Sequence, residues 1–216
     1  ELFNKFSELF LNSKDDMYLS TTYRYGQELA NISSEFILKN EEQTIKNIKS
    51  IKHLNHPIEM CKYEWMEEYK KINELVHKIY KENPNCKILI LARTNRCLEK
   101  LAKSEFFTKG IEDVLICKDL PDARIEALTM HRSKGLTADQ VIVFGLREKV
   151  FPSKNRTSHW IFEYFKLDSI MEKIPYAEER RLFYVALTRT RNKVYLVVPN
   201  NRNSKSEFVN EIEKMI

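Results

Sequence analysis

Four short stretches concentrate side chains that recognise phosphate and sugar. Thr21-Thr22-Tyr23-Arg24 sets two hydroxyls ahead of an aromatic ring and a guanidinium. Arg93-Thr94-Asn95-Arg96 flanks a hydroxyl and an amide with two guanidiniums. Thr129-Met130-His131-Arg132-Ser133-Lys134-Gly135 adds an imidazole and an ammonium, and ends on one of only four glycines in the chain. Arg189 and Arg191 close the run EERRLFYVALTRTR, residues 178–191. A guanidinium offers a planar fork to phosphate oxygens, while hydroxyl, amide and imidazole groups donate to phosphate whatever the base sequence. Such groups stabilise negative charge and position a polyanion. A glycine at 135 lets the backbone approach closely or take a positive φ.

The surrounding pattern supplies the elements that would hold these groups. KILILA (87–92) is a continuous apolar run bounded by polar residues, as expected of a strand covered on both faces. DVLIC (113–117), IEALTM (125–130), QVIVFGL (140–146) and VYLVV (194–198) are further strand candidates, MYLS (17–20) is short and strand-like, and PIEMCKY (57–63) reads as an edge strand. Helical spacing of apolar residues predicts a helix over 27–40, from Leu29, Ile32 and Phe36. It predicts another over 64–82, from Ile72, Leu75, Val76 and Ile79, ended by Asn83-Pro84. Thr94 and Asn95 offer N-caps for a helix to about Lys103, and helices fill 159–171, 178–188 and 205–215. Buried strands alternating with helices predict an α/β fold with a mainly parallel sheet flanked by helices. In such sheets ligands lie beyond the carboxyl ends of the strands, where three of the four clusters begin. Arg189 and Arg191 instead sit where a helix feeds a strand, and a cation there also gains from the helix dipole.

The 216 residues suit one domain. A hydrophobic fraction of 43%, a charged fraction of 31% and no apolar run of membrane-spanning length describe a soluble globular chain with no membrane partner. The net charge of +5 permits an anionic partner without demanding one. Cys61, Cys86, Cys97 and Cys117 form no CxxC pair, which argues against a zinc site or disulfide framework and fits a reducing, cytoplasmic setting. The opening Glu1, in place of a methionine, suggests part of a longer protein.

TTYR, ALTMHRSKGLTADQVIVFGL and EERRLFYVALTRTR occur in this order, each in the strand or helix context above. Together they resemble motifs IV, V and VI of the superfamily 1 DNA helicases related to UvrD, Rep and PcrA. The RTN that follows 88–92 resembles an additional segment between motifs IV and V. YRYGQELANISSEFI and KGLTAD look nearest to the DNA helicase IV (HelD-like) branch. The resemblance covers nearly the whole chain and implies the second RecA-like (P-loop NTPase-type) domain, called 2A. The P-loop GxxxxGK[ST] and the acidic pair for magnesium belong to the first such domain and are missing here. The stretch from Gly26 to Ala127 leaves little or no room for the accessory 2B insertion.

The resemblance implies roles residue by residue. Tyr23 would stack on the adenine of ATP, and Arg24 and Arg189 would reach its γ-phosphate as the catalytic, charge-stabilising groups. Gly135 and Thr137 would lie by the nucleotide, although the family often has glutamate at the position of Thr137 to bind the ribose. Arg93, Asn95, Thr129, His131 and Lys134 would follow single-stranded or tailed duplex DNA. ATP and Mg2+ would be held mainly by the N-terminal RecA-like domain of the same protein, and the whole would be an ATP-dependent 3′→5′ DNA helicase. Plainer readings stand beside these. Asn95 could serve only as a helix cap, Thr129 and His131 as a satisfied polar pair, Lys134 as a structural cation. Glu178, Glu179, Arg180 and Arg181 read as the helix's solvated and inter-segment salt bridges, with Arg180 also a candidate for the cleft, and Arg191 has no assigned role. Two other functions are open: a HelD-like module that binds RNA polymerase and remodels transcription complexes, and a helicase-like binding module without motor activity.

Overall fold

Alternation along each buried strand divides the core between two faces of one sheet. The computed structural model describes residues 20–40, 43, 47–64, 66–153 and 176–216. Its main sheet holds β3 (Ile58–Tyr63), β9 (Thr190–Pro199), β8 (Ala138–Val143), β4 (Ile88–Ala92) and β7 (Ile125–Thr129), in that spatial order. All four pairings are parallel. From β4, Leu89 and Leu91 enter one apolar cluster while Ile88, Ile90 and Ala92 enter the other. Side chains alternate between faces, so a strand covered on both sides must be apolar throughout.

On the first face lie α1 (Gln27–Leu38), α4 (Ala177–Leu187) and α5 (Glu207–Ile212), through Leu29, Phe36, Leu182, Phe183 and Phe208. Phe36, Phe183 and Phe208 meet as an aromatic knot with ring centroids 5.2–6.1 Å apart. The second face is covered by α2 (Glu68–Glu82) and α3 (Asn95–Ala102), through Ile72, Val76, Ile79 and Leu101. No helix among the described residues is long and apolar enough to cross a membrane.

Several expectations change. DVLIC is not a strand of the main sheet: β6 (Leu115–Cys117) pairs antiparallel with β5 (Phe107–Lys109) in a separate hairpin. Leu115 and Cys117 are apolar because that hairpin packs on the second face, which mimics a central strand. Thr94 stands at the start of α3 without capping it, since its hydroxyl donates to Cys97 Sγ at 3.3 Å. Two short strands, β1 (Thr21–Thr22) and β2 (Lys49–Ser50), pair in parallel away from the main sheet. The expected strand at 17–20 lies outside the described residues but for Ser20, and the expected helix at 159–171 lies wholly outside them.

Candidate functional site

The parallel sheet gives its two ends different chemistry. At the amino end, Arg189 links α4 to β9, and Arg24 follows β1. Arg189 is 9% exposed. Its Nε donates to Val185 O at 2.9 Å, its Nη1 to Leu136 O at 3.4 Å and its Nη2 to Thr188 Oγ1 at 3.2 Å. Arg24 Nη1 donates to Thr188 O at 3.3 Å, so both guanidiniums converge on Thr188. Neither forms a salt bridge with a carboxylate among the described residues. Burial, and after it the Arg24 charge, lowers the Arg189 pKa from its ordinary value. Two like charges held together in a poorly hydrated place favour an arriving anion. Thr137, half-buried, lies between Leu136 and Ala138, both of which bond to Arg189. Tyr23, beside Arg24, is 69% exposed.

The carboxyl end carries the other candidates. Arg93 follows β4 and Asn95 opens α3, its side chain exposed. Arg93 is bound to Glu179, which is fully buried: Nε reaches both carboxylate oxygens at 2.8 and 2.9 Å, and Nη2 reaches Oε1 at 2.7 Å. Ser153 N–H completes that carboxylate at 3.1 Å. Glu179 is thus an interior group, not a solvated one. The phase of α4 carries the signal, because residue 179 shares a face with Leu182, Phe183 and Ala186. Arg180 likewise turns from the cleft. It forks onto Glu211 at 2.8 and 2.9 Å and packs over the Phe36 and Phe208 rings, bracing α1 and α5.

Beyond β7, Thr129 and His131 do not share one face of a strand. The strand stops at Thr129 and the chain turns, with Ser133 N–H donating to Thr129 O. Thr129 is buried, its hydroxyl accepting the Arg132 amide at 3.4 Å, whereas His131 is exposed with Nε2 at 3.7 Å from Glu178 Oε1. Lys134 is exposed, and Gly135 takes φ +90° in open space. Arg132 grips Asp113 of the β5–β6 hairpin at 2.8 and 2.9 Å, a contact no periodicity announced. Arg191 pairs with Asp139 at 3.2 Å on the surface.

Two segments run between the ends. Residues 130–137 leave the carboxyl end of β7 and enter the amino end of β8. α4 runs the same way, from Glu178 and Glu179 beside His131 and Arg93 to Val185 and Thr188 beside Arg189 and Arg24. The predicted site residues therefore form two groups, bridged by these segments.

Comparison with known proteins gives the class. Residues 111–201 match the UvrD-like helicase C-terminal domain family. By that match the chain belongs to the UvrD-like helicase C-terminal domain family. Within that class it is 32% identical to DNA helicase IV of Escherichia coli strain K12 over 204 residues, or 91% of this chain and 26% of that protein. It is 34% identical to the ATP-dependent DNA helicase PcrA of Bacillus subtilis over 96 residues, 41% of this chain and 11% of that protein. The chain thus spans about a quarter, or less, of the length of these relatives. In fold it is similar to the C-terminal domain of a possible DNA helicase from Lactobacillus plantarum WCFS1. The TM-score is 0.55 at 14% identity, covering 88% of this chain and 94% of that one.

Proposed function

We propose that this chain is the second motor domain of an ATP-dependent enzyme that moves 3′→5′ along single-stranded DNA and opens tailed duplexes. The observation that carries the reading is the pair of guanidiniums, Arg24 and Arg189, converging on Thr188 with no carboxylate partner among the described residues. That is a receptor for an anion brought by another body, and the γ-phosphate of ATP on an N-terminal RecA-like domain of the same protein fits it. Here the arginines would stabilise charge in the transition state and report closure of the cleft. Tyr23 would lie against the base, and Thr137 and Gly135 near the sugar and phosphates. Bound nucleotide supplies the driving free energy and, with Mg2+, the reacting phosphate. The metal would take its ligands mainly from the other domain.

At the far end, Asn95, His131 and Lys134 would meet the DNA backbone, with Thr129 and Arg93 holding the turn and the helix that present them. With little or no room for an accessory insertion between Gly26 and Ala127, residues 1–216 would be a second RecA-like domain alone, inactive without its partner domain. In the full-length protein, Arg189→Ala should lower DNA-stimulated ATP hydrolysis by about 10³-fold or more, with equilibrium ATP binding retained. A rate within tenfold of wild type would refute the assignment.

A further inference from the structure

The strap from Ile48 to Leu54 is bonded along the segment that bears Tyr23 and Arg24. Lys49 N–H donates to Ser20 O at 2.7 Å and Gln27 N–H to Lys52 O at 2.8 Å. The Ser50 hydroxyl donates to Tyr25 O at 2.7 Å. The Gln27 carboxamide accepts Ser50 N–H at 2.6 Å and donates to Ile48 O at 3.2 Å, while Glu28 accepts Leu54 N–H at 2.8 Å. Its exposed side chains are therefore held in place by fixed backbone.

The parallel pairing sets Thr21 beside Lys49 and Thr22 beside Ser50. Successive side chains point to opposite sides of such a ribbon. Thr21 and Lys49 are exposed, and Thr22 and Ser50 are half-buried. The next residue of each strand, Tyr23 and Ile51, stands just past the paired ribbon, 69% and 73% exposed. An aromatic ring and a branched aliphatic side chain are thus both presented to water from the end of the in-register pair Thr22–Ser50. Lys52 Nζ donates to Arg24 O at 3.4 Å, and the Arg24 and Arg189 guanidiniums, without a carboxylate partner among the described residues, meet at Thr188. An apolar platform leading to several cations complements a flat heteroaromatic base joined to a polyphosphate.

We propose that Ile51 is a second contact for the base of the bound nucleoside triphosphate, widening the Tyr23 platform to the breadth of a purine, and that the Gln27–Ser50 bonds fix it there. This rests on the nucleotide reading above. The test uses the full-length protein in DNA-stimulated hydrolysis, with inorganic tripolyphosphate as a competitive inhibitor that has no base. Ile51→Ala should raise KM for ATP about fivefold through lost apolar contact, with kcat and the tripolyphosphate inhibition constant within twofold of wild type. Ile51→Leu should restore most of the loss. An unchanged KM would overturn the proposal, as would a parallel rise in KM and the tripolyphosphate constant or a fall in kcat, since the strap would then serve only to hold Arg24. The companion variants Arg24→Ala and Arg189→Ala separate the two readings. Wild-type hydrolysis in both would remove the nucleotide site itself, and the Ile51 contact with it.

Discussion

Removing Arg93 should destabilise the domain far more than neutralising the glutamate it serves. The Glu179 side chain is fully buried and keeps four short contacts, three from Arg93 and one from Ser153 N–H. Arg93→Ala deletes three of them and strands a carboxylate in the interior. Breaking a buried pair from one side costs about 3–5 kcal/mol, and for a chain of this size each kcal/mol lowers Tm by about 2–4 °C. Glu179→Gln is milder. The amide oxygen still accepts a hydrogen bond, and the Arg93 side chain, 22% exposed, can turn its charge to water. That change should cost about 1–2 kcal/mol. The double variant should be more stable than the sum of the single losses, because the stranded charge is gone. Urea unfolding of the 216-residue chain, followed by circular dichroism, measures all three. Equal costs for the two single variants, or a loss below 1 kcal/mol for Arg93→Ala, would refute the assignment of Arg93 as the partner that makes Glu179 tolerable.

Other outcomes follow from the same geometry. Asn95→Ala and His131→Ala should each weaken single-stranded DNA binding by the full-length protein several-fold, uniformly across base sequences, as a salt titration of affinity would show. Backbone and His53 hydrogen bonds hold the Glu28 carboxyl at about 2 against an ordinary 4.5. A depressed carboxylate stabilises above its unfolded pKa, so the Glu28–Leu54 bond should persist at neutral pH and be lost as pH falls from about 4.5 through 2. Hydrogen exchange at the Leu54 amide across that range is the check. Burial pushes the Cys61 thiol up to about 12 and the Cys86 thiol up to about 11, while Cys97 is only half-buried. A thiol reagent at neutral pH should therefore modify Cys97 first, as peptide mapping would show.

The central strands could be read directly because burial on both faces leaves an unbroken apolar record, as in residues 88–92. The same record misled at 113–117, where a hairpin lying on the sheet needs equally apolar residues. Helix phase held the position of Glu179, but the acidic and basic neighbours in EERR suggested a solvated face. The meeting of Arg24 with Thr188 spans 164 residues of sequence, which no local period encodes. Only the order of the three motifs pointed there. The Ile48–Leu54 strap left no pattern, because backbone bonds and side-chain bonds from Gln27, Glu28 and Ser50 hold it, with only Ile48 packed against the core.

Residues 130–137 and α4 have a mechanical consequence. Both descend the full height of the sheet, the first tightly turned through Ser133 N–H to Thr129 O and Leu136 N–H to Ser133 O. The second is a helix about 16 Å long by its rise. They form a two-rail truss between the arginine end and the imidazole end. A hydrogen-bonded backbone resists stretching far better than side-chain contacts do. Displacement applied at Thr188 would be delivered at Glu178 as rigid-body motion, with little lost as slack, and the stroke at one end would be set by the tilt of the rails.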